Sequence, residues 1–157
     1  METITPVAPA KSGGAAIVYL GGLRWLSAGG YNLDTNAILN AAWIVDGNVN
    51  GGQGAYIATG ALPFASVNAA SLRLLDGRVL VTGGFSTVTN FVATASCAVF
   101  DAAANGGVGA FSPLTTPMSS PRSNHTATLL SDGRVLVTGG QTADGSGHAV
   151  ATADLIY

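Results

Sequence analysis

Nine consecutive residues, Asp76–Gly84, recur without change at Asp132–Gly140. Around them LLDGRVLVTGGF at 74–85 returns as LLSDGRVLVTGGQ at 129–141, and a weaker copy, GGLRWLSAGGY, runs from Gly21 to Tyr31. The double glycines therefore begin at 29, 83 and 139, spaced by 54 and 56 residues. A second landmark keeps the same spacing: VDGNVNGGQGAY from Val45 and FDAAANGGVGAF from Phe100. A unit of this length cannot bury its own apolar faces, so such chains fold by stacking neighbouring units.

Each unit reads as short strands. HTATLL (125–130) alternates polar and apolar residues, the following Ser-Asp-Gly is a tight-turn signal, and RVLVT is rich in β-branched residues, which together predict a hairpin. Gly139-Gly140 breaks the second strand. Beyond a polar stretch, AVATADLIY predicts a third strand, with counterparts in NAAWIVD and ATASCAVFD. An Asn-Gly-Gly turn and a fourth strand opening at Tyr56 or Phe111 complete the unit. No window carries a sustained helical period with caps, so the class is all-β, with four antiparallel strands per unit.

The run PRSNHTATLLSDGRVLVTGG, with its Arg-x-x-His, Asp-Gly-Arg turn and double glycine, resembles the kelch repeat, and most of all the bacterial kelch repeats related to the propeller of galactose oxidase. The second copy has Ser66 and Ala69 where the third has Arg122 and His125, and the first lacks the Asp-Gly turn. The resemblance implies a β-propeller with strands a to d from the axis outwards. Strand c then ends at Val45, Phe100 or Tyr157, and the last copy has no strand d. METITPVAPAK matches the strand-d tail FSPLTTPMSSPR, which makes the order d-abcd-abcd-abc: residues 1–10 a strand d, 11–62 blade 1, 63–117 blade 2, and 118–157 strands a to c of blade 3.

Propellers have about four to eight blades, so three blades leave apolar faces and a strand edge open. The expectation is a homodimer in which the N-terminal strand of each chain completes its partner's last blade, closing a six-bladed ring. A larger propeller completed by another polypeptide is the alternative.

Composition excludes several classes. Six Lys and Arg against eight acids give a net charge of −2, too few and too scattered to neutralise a run of phosphates, so no nucleic-acid partner is expected. With 48% hydrophobic residues the chain is not of disordered type, and its 22 glycines follow no three-residue period. No apolar run is long enough for membrane insertion. The first twenty residues lack a signal peptide's basic start and long apolar centre, although a secreted chain with its leader removed fits equally, so the compartment is not set. Cys97 is the only cysteine, expected as a buried hydrophobe.

Candidate ligand residues fall on the face that carries the b–c and d–a connections: Tyr31, Asn32, Asp34 and Asn36; Phe85, Thr87 and Asn90; Gln141, Asp144 and His148; with Arg122 and Asn124 at the start of the third strand a. Aromatic and amide groups there suit a sugar or a peptide loop, or simply face water. Arg122, Asn124 and His125 are expected to bond between blades, Asp46 and Asp101 to cap turns, and Arg78 and Arg134 to pair with nearby carboxylates. Trp25, Trp43 and Phe100 are expected in the inter-blade core. The GGQGAY and GGVGAF runs carry an aromatic where a calcium nonapeptide has its acid. The copper-radical oxidases that the repeats resemble use two His and two Tyr, one Tyr cross-linked to Cys; here His125 sits at an ordinary repeat position and His148 in a loop of the same blade. Mutarotase-like chemistry would have only Arg122, His125 and Asp34 to use. No catalytic residue, metal or cofactor is expected, and the reading is a non-catalytic, self-assembling protein-interaction or structural scaffold, with a lectin-like or carbohydrate-active propeller as the alternative.

Overall fold

The computed structural model describes residues 12–52, 54–142 and 148–156. In chain order the strands are β1 (Ser12–Gly13), β2 (Ala16–Gly21), β3 (Arg24–Ala28), β4 (Tyr31–Asn32), β5 (Ala37–Ile38), β6 (Ala42–Asp46), β7 (Ala55–Ala58), β8 (Ala70–Arg73), β9 (Val79–Thr82), β10 (Cys97–Asp101), β11 (Ala110–Pro113), β12 (Thr126–Leu129), β13 (Val135–Thr138) and β14 (Ala153–Ile156). They build four antiparallel sheets: three meanders in sequence order, β2-β3-β6-β7, β8-β9-β10-β11 and β12-β13-β14, and a small sheet of order β1-β4-β5. The all-β class follows directly, and among the described residues the third sheet has three strands. Residues 1–10 and Tyr157, on which the N-terminal strand and the end of the last strand depended, lie outside the described residues.

Sequence dictates the turns. In Asp76-Gly77-Arg78 the carboxylate accepts the Arg78 amide at 3.1 Å while Gly77 takes φ 89, and Asp132-Gly133-Arg134 repeats the arrangement with Gly133 at φ 90. Each carboxylate also pairs with the arginine of its own turn, Arg78 with Asp76 at 2.7 Å and Arg134 with Asp132 at 2.6 Å. Asp46 and Asp101 cap the c–d turns by accepting the amides of Asn48 and Ala103 at 2.9 and 2.8 Å. The Asn48 amide holds the Asp46 carboxyl below the usual carboxylate range, with Arg24, 3.3 Å away, acting in the same direction.

One register differs from expectation. Val135 faces Ile156 as Val79 faces Phe100 and Trp25 faces Val45. Ile156, not Tyr157, therefore shares the row of Val45 and Phe100, because pairing is set from the double glycine, and the third copy has one residue fewer before that row than the final aromatic suggests.

The second sheet is packed between the other two. One core joins Val18, Leu26 and Ile44 of the first sheet to Val79, Val81, Ala98 and Phe100 of the second. Another joins Leu80, Cys97 and Val99 of the second to Val135 and Val137 of the third, with Met118 between. Phe100 is thus inter-sheet core, tilted against Phe111 at 4.9 Å. Trp25 and Trp43 are not: both are half-buried on the outer face of the first sheet, since they occupy rows pointing away from the second.

Strands β2, β8 and β12, the first of each meander, stand side by side, linked by backbone. The Asn68 amide donates to the Gly14 carbonyl at 2.9 Å and the Asn124 amide to the Asn68 carbonyl at 3.2 Å. Likewise the Gly30 amide donates to Ser66 at 2.7 Å and the Gly84 amide to Arg122 at 2.9 Å. The double glycine makes this joint feasible: Gly29 and Gly83 hold φ 69 and 60, and a Cβ on either would stand 2.3 Å from the neighbouring sheet's carbonyl.

Candidate functional site

The b–c connections begin where the double glycine ends each second strand. Tyr31, Phe85 and Gln141 follow the glycines, and each bridges two segments: Gly13 and Ile38, Val67 and Ala93, Ser123 and Ala149. Between the first two units this frame encloses a groove of about 690 Å³. Gly13, Gly14, Tyr31, Asn36 and Ile38 line it from one side, and Val67, Asn68, Phe85, Val88, Thr89 and Phe91 from the other.

Its aromatic wall is built by the loop after β9. Phe85 is buried, and Phe91 meets it edge to face with centroids 5.5 Å apart and the rings inclined at 67°. Phe91 is 56% exposed and sits at φ 48, an unfavourable conformation for a bulky L residue. The loop is closed on itself around that residue, since Val92 accepts from the Ser86 amide at 2.8 Å and from the Ser86 hydroxyl at 3.0 Å, and its own amide reaches the Thr87 hydroxyl at 3.3 Å. Facing it, the Tyr31 hydroxyl donates to Asn36 Oδ1. That contact occupies the amide oxygen of Asn36 and leaves its nitrogen without a hydrogen bond among the described residues. None of the lining residues carries a charge at neutral pH.

Of the residues singled out from sequence, Tyr31, Asn36 and Phe85 come together here. Asn32 lies beneath, buried, with its Oδ1 accepting the amides of Asp34 and Thr35 at 2.8 and 3.1 Å; it shapes the turn that carries the exposed Asp34. Asn90 and Thr87 are exposed in the loop but do not line the groove. Gln141 and His148 lie in the third unit, His148 exposed with its carbonyl accepting the Thr142 amide at 3.0 Å; Asp144 is outside the described residues. Phe91 and Asn68 escaped the sequence reading. Asn68 had a signal, because it stands between Gly14 and Asn124 at the repeat spacing and all three have positive φ. Phe91 had none, since the loops do not repeat.

The conspicuous Arg-x-x-His pair sits elsewhere. Arg122 is fully buried and donates to the Gly139 carbonyl at 3.1 Å, the Thr152 carbonyl and hydroxyl, both at 2.9 Å, and Asp154 at 2.7 Å. All these partners belong to its own unit, so its side chain braces one sheet and only its backbone bonds between units, a correction to the expected inter-blade side-chain role. Ser66, in the same row, meets the equivalent Gly83 carbonyl at 2.6 Å. His125 does bond between units, Nε2 to the Thr82 hydroxyl at 2.8 Å. Burial, and then the Arg122 guanidinium, push its pKa down to about 4, so it is neutral at physiological pH. Asn124 is exposed and joins units through its backbone.

No family model matches the chain, and no curated protein matches it. Among solved structures it is similar to one described as a novel fungal alcohol oxidase with catalytic diversity among the AA5 family, in complex with copper, with a TM-score of 0.70 and 21% identity. The match covers 87% of this chain and 28% of that one, so the chain spans little more than a quarter of that structure. The likeness shows the fold alone, an all-β architecture.

The described residues do not fit a copper ion. Among the described residues no three His, Cys, Asp or Glu side chains are grouped as metal ligands. His125 is held in the seam by Thr82. Cys97 is packed among Leu80, Val99, Met118, Val135 and Val137, with no tyrosine of the described residues in the cluster, and burial pushes its thiol up to about 11.

Proposed function

We propose that the chain is a non-catalytic, carbohydrate-binding propeller segment of kelch type, and that its site is the groove between the first two units. The observation that carries this reading is the pairing of the exposed Phe91 ring, backed by Phe85, with Tyr31 and the Asn36 amide across about 690 Å³. That volume suits a small ligand. Rings present flat apolar surface to the C–H face of a sugar, while amide and hydroxyl groups satisfy its hydroxyls. The absence of charge in the lining favours a neutral saccharide over a phosphorylated or carboxylated one. An alcohol oxidase on a similar fold supports a surface suited to hydroxyl-bearing ligands, while no group of three His, Cys, Asp or Glu among the described residues could hold a metal.

A glycan array followed by titration calorimetry tests this. Saturable binding of a neutral saccharide, lost in Phe91→Gly, is expected; an array without signal from a folded sample overturns it. A protein-interaction scaffold is the second reading, favoured by the exposed apolar face of the first sheet, where Ile17 and Tyr19 are 67% and 52% exposed.

A further inference from the structure

The outer face of the first sheet carries two cross-strand rows: Ile17, Ser27, Trp43 and Ala58, then Tyr19, Trp25, Val45 and Tyr56. Tyr19 and Trp25 tilt together at 5.6 Å, and Tyr56 is 40% exposed. The matching rows of the second sheet are Ser71, Val81, Ala98 and Pro113, then Arg73, Val79, Phe100 and Phe111. There Val79, Val81, Ala98 and Phe100 are 0% exposed, because the first sheet covers them. The first sheet thus presents, uncovered, the face that the second uses to receive its predecessor.

The third sheet presents the complementary face. Its outward rows, Thr128-Leu136-Leu155 and Thr126-Thr138-Ala153, match Leu72-Leu80-Val99 and Ala70-Thr82-Cys97, which in the second sheet face the third. Leu155 is 43% exposed. The Thr126 and Thr138 hydroxyls lie 3.0 Å apart and bond each other, so an apolar face can cover them without stranding a polar group. Where His125 reaches back to Thr82, the first unit has Ala15 in the same row, so that seam needs no polar partner.

The backbone joint is equally open. At Gly29 and Gly83 the next unit's carbonyl stands 2.3 Å from where a Cβ would be; at Gly139 nothing lies within 4 Å. The residue in the row of Ser66 and Arg122 is Ser12, at the start of the first unit. Along β14, which pairs only with β13 among the described residues, runs a groove of about 480 Å³ lined by Leu114, Thr116, Pro117, Asp154, Leu155 and Ile156, where the second sheet has its fourth strand.

From these three observations we infer that the occupant is a second copy of this chain. The first-sheet face of each copy packs on the third-sheet face of the other, and the Ser12 carbonyl meets the Gly140 amide. Two equal head-to-tail seams then close six sheets into a ring. The inference is independent of what the Phe91 groove binds.

Sedimentation velocity of the 157-residue chain tests it, with circular dichroism confirming strand content. A dimer is expected. Trp43→Arg and Leu155→Asp, both at solvent-facing positions of a single chain, each place a charge in both seams and weaken dimerisation by more than about tenfold. Mixing the two variants restores dimers, because a mixed pair keeps one unaltered seam. A folded monomer, open-ended oligomers, or a dimer insensitive to either substitution overturns the inference; so does failure of the mixture to reassociate, which indicates like faces pairing.

Discussion

Thr82 and His125, 43 residues apart in the chain, meet through Oγ1 and Nε2 at 2.8 Å across the seam between the second and third sheets. The imidazole is buried beside Arg122 and titrates at about 4. The unfolded chain takes up that proton near 6.5, so it binds more protons than the folded chain between pH 6.5 and 4. Stability is therefore full above 6.5, falls as pH drops through this window, and levels off from this source once the folded state is protonated too. Urea midpoints measured across the window should show that slope, and His125→Asn should flatten it while lowering stability throughout.

Arg122 and Asp154 form a buried pair at 2.7 Å, whereas the second sheet has Ser66 and Ala98 in those rows. Arg122→Ser alone takes the guanidinium from the Asp154 carboxylate, which keeps only the Ser119 amide at 2.7 Å, and should cost about 3 kcal/mol. Adding Asp154→Ala, which recreates the second unit's solution, should recover a large part of the loss. Denaturant unfolding of the two single variants and the double one gives the coupling directly.

Within a single chain, glycine at 83 answers two demands and glycine at 139 only one. Gly83→Ala forces a side chain into φ 60 and onto the Arg122 carbonyl, so it should destabilise by about 2 kcal/mol or more. Within one chain Gly139→Ala meets only the backbone cost at φ 70, about 1 kcal/mol, and any further loss is one of association, where the second copy's Ser12 carbonyl approaches. Thermal or urea unfolding, compared at equal protein concentration, distinguishes the two.

Phe91→Gly removes a ring held at φ 48 and supplies the residue that this conformation favours. Folding stability should stay within about 1 kcal/mol of the parent. Saccharide affinity, read by calorimetry, should fall by more than about tenfold, which separates a ligand-contacting ring from a structural one.

Strand order and turn chemistry were legible because they repeat: Asp-Gly-Arg and the aspartate before the c–d turn each produce the same hydrogen bonds wherever they occur, and the double glycine does so at its first two occurrences. What changes between copies was not. Arg122 read as an inter-blade residue because its row lies at the seam, yet its long side chain turns back to carbonyls and a carboxylate of its own sheet. Trp25 and Trp43 read as core because strand tryptophans bury large area, yet which face they take depends on register. The site was least legible, since Phe91 owes its position to a loop of one unit closing around it. Tyr31 and Phe85 were visible because both follow the double glycine.

The joints between sheets are made of peptide groups, Gly30 to Ser66 and Gly84 to Arg122, with either side chain tolerated at the acceptor. A contact that ignores side-chain identity leaves sequence free to drift on both sides of it. This explains how the first copy could lose its Asp-Gly turn and still build the same meander, and it makes the loops beside the joint the places where new specificity can arise without renegotiating the frame.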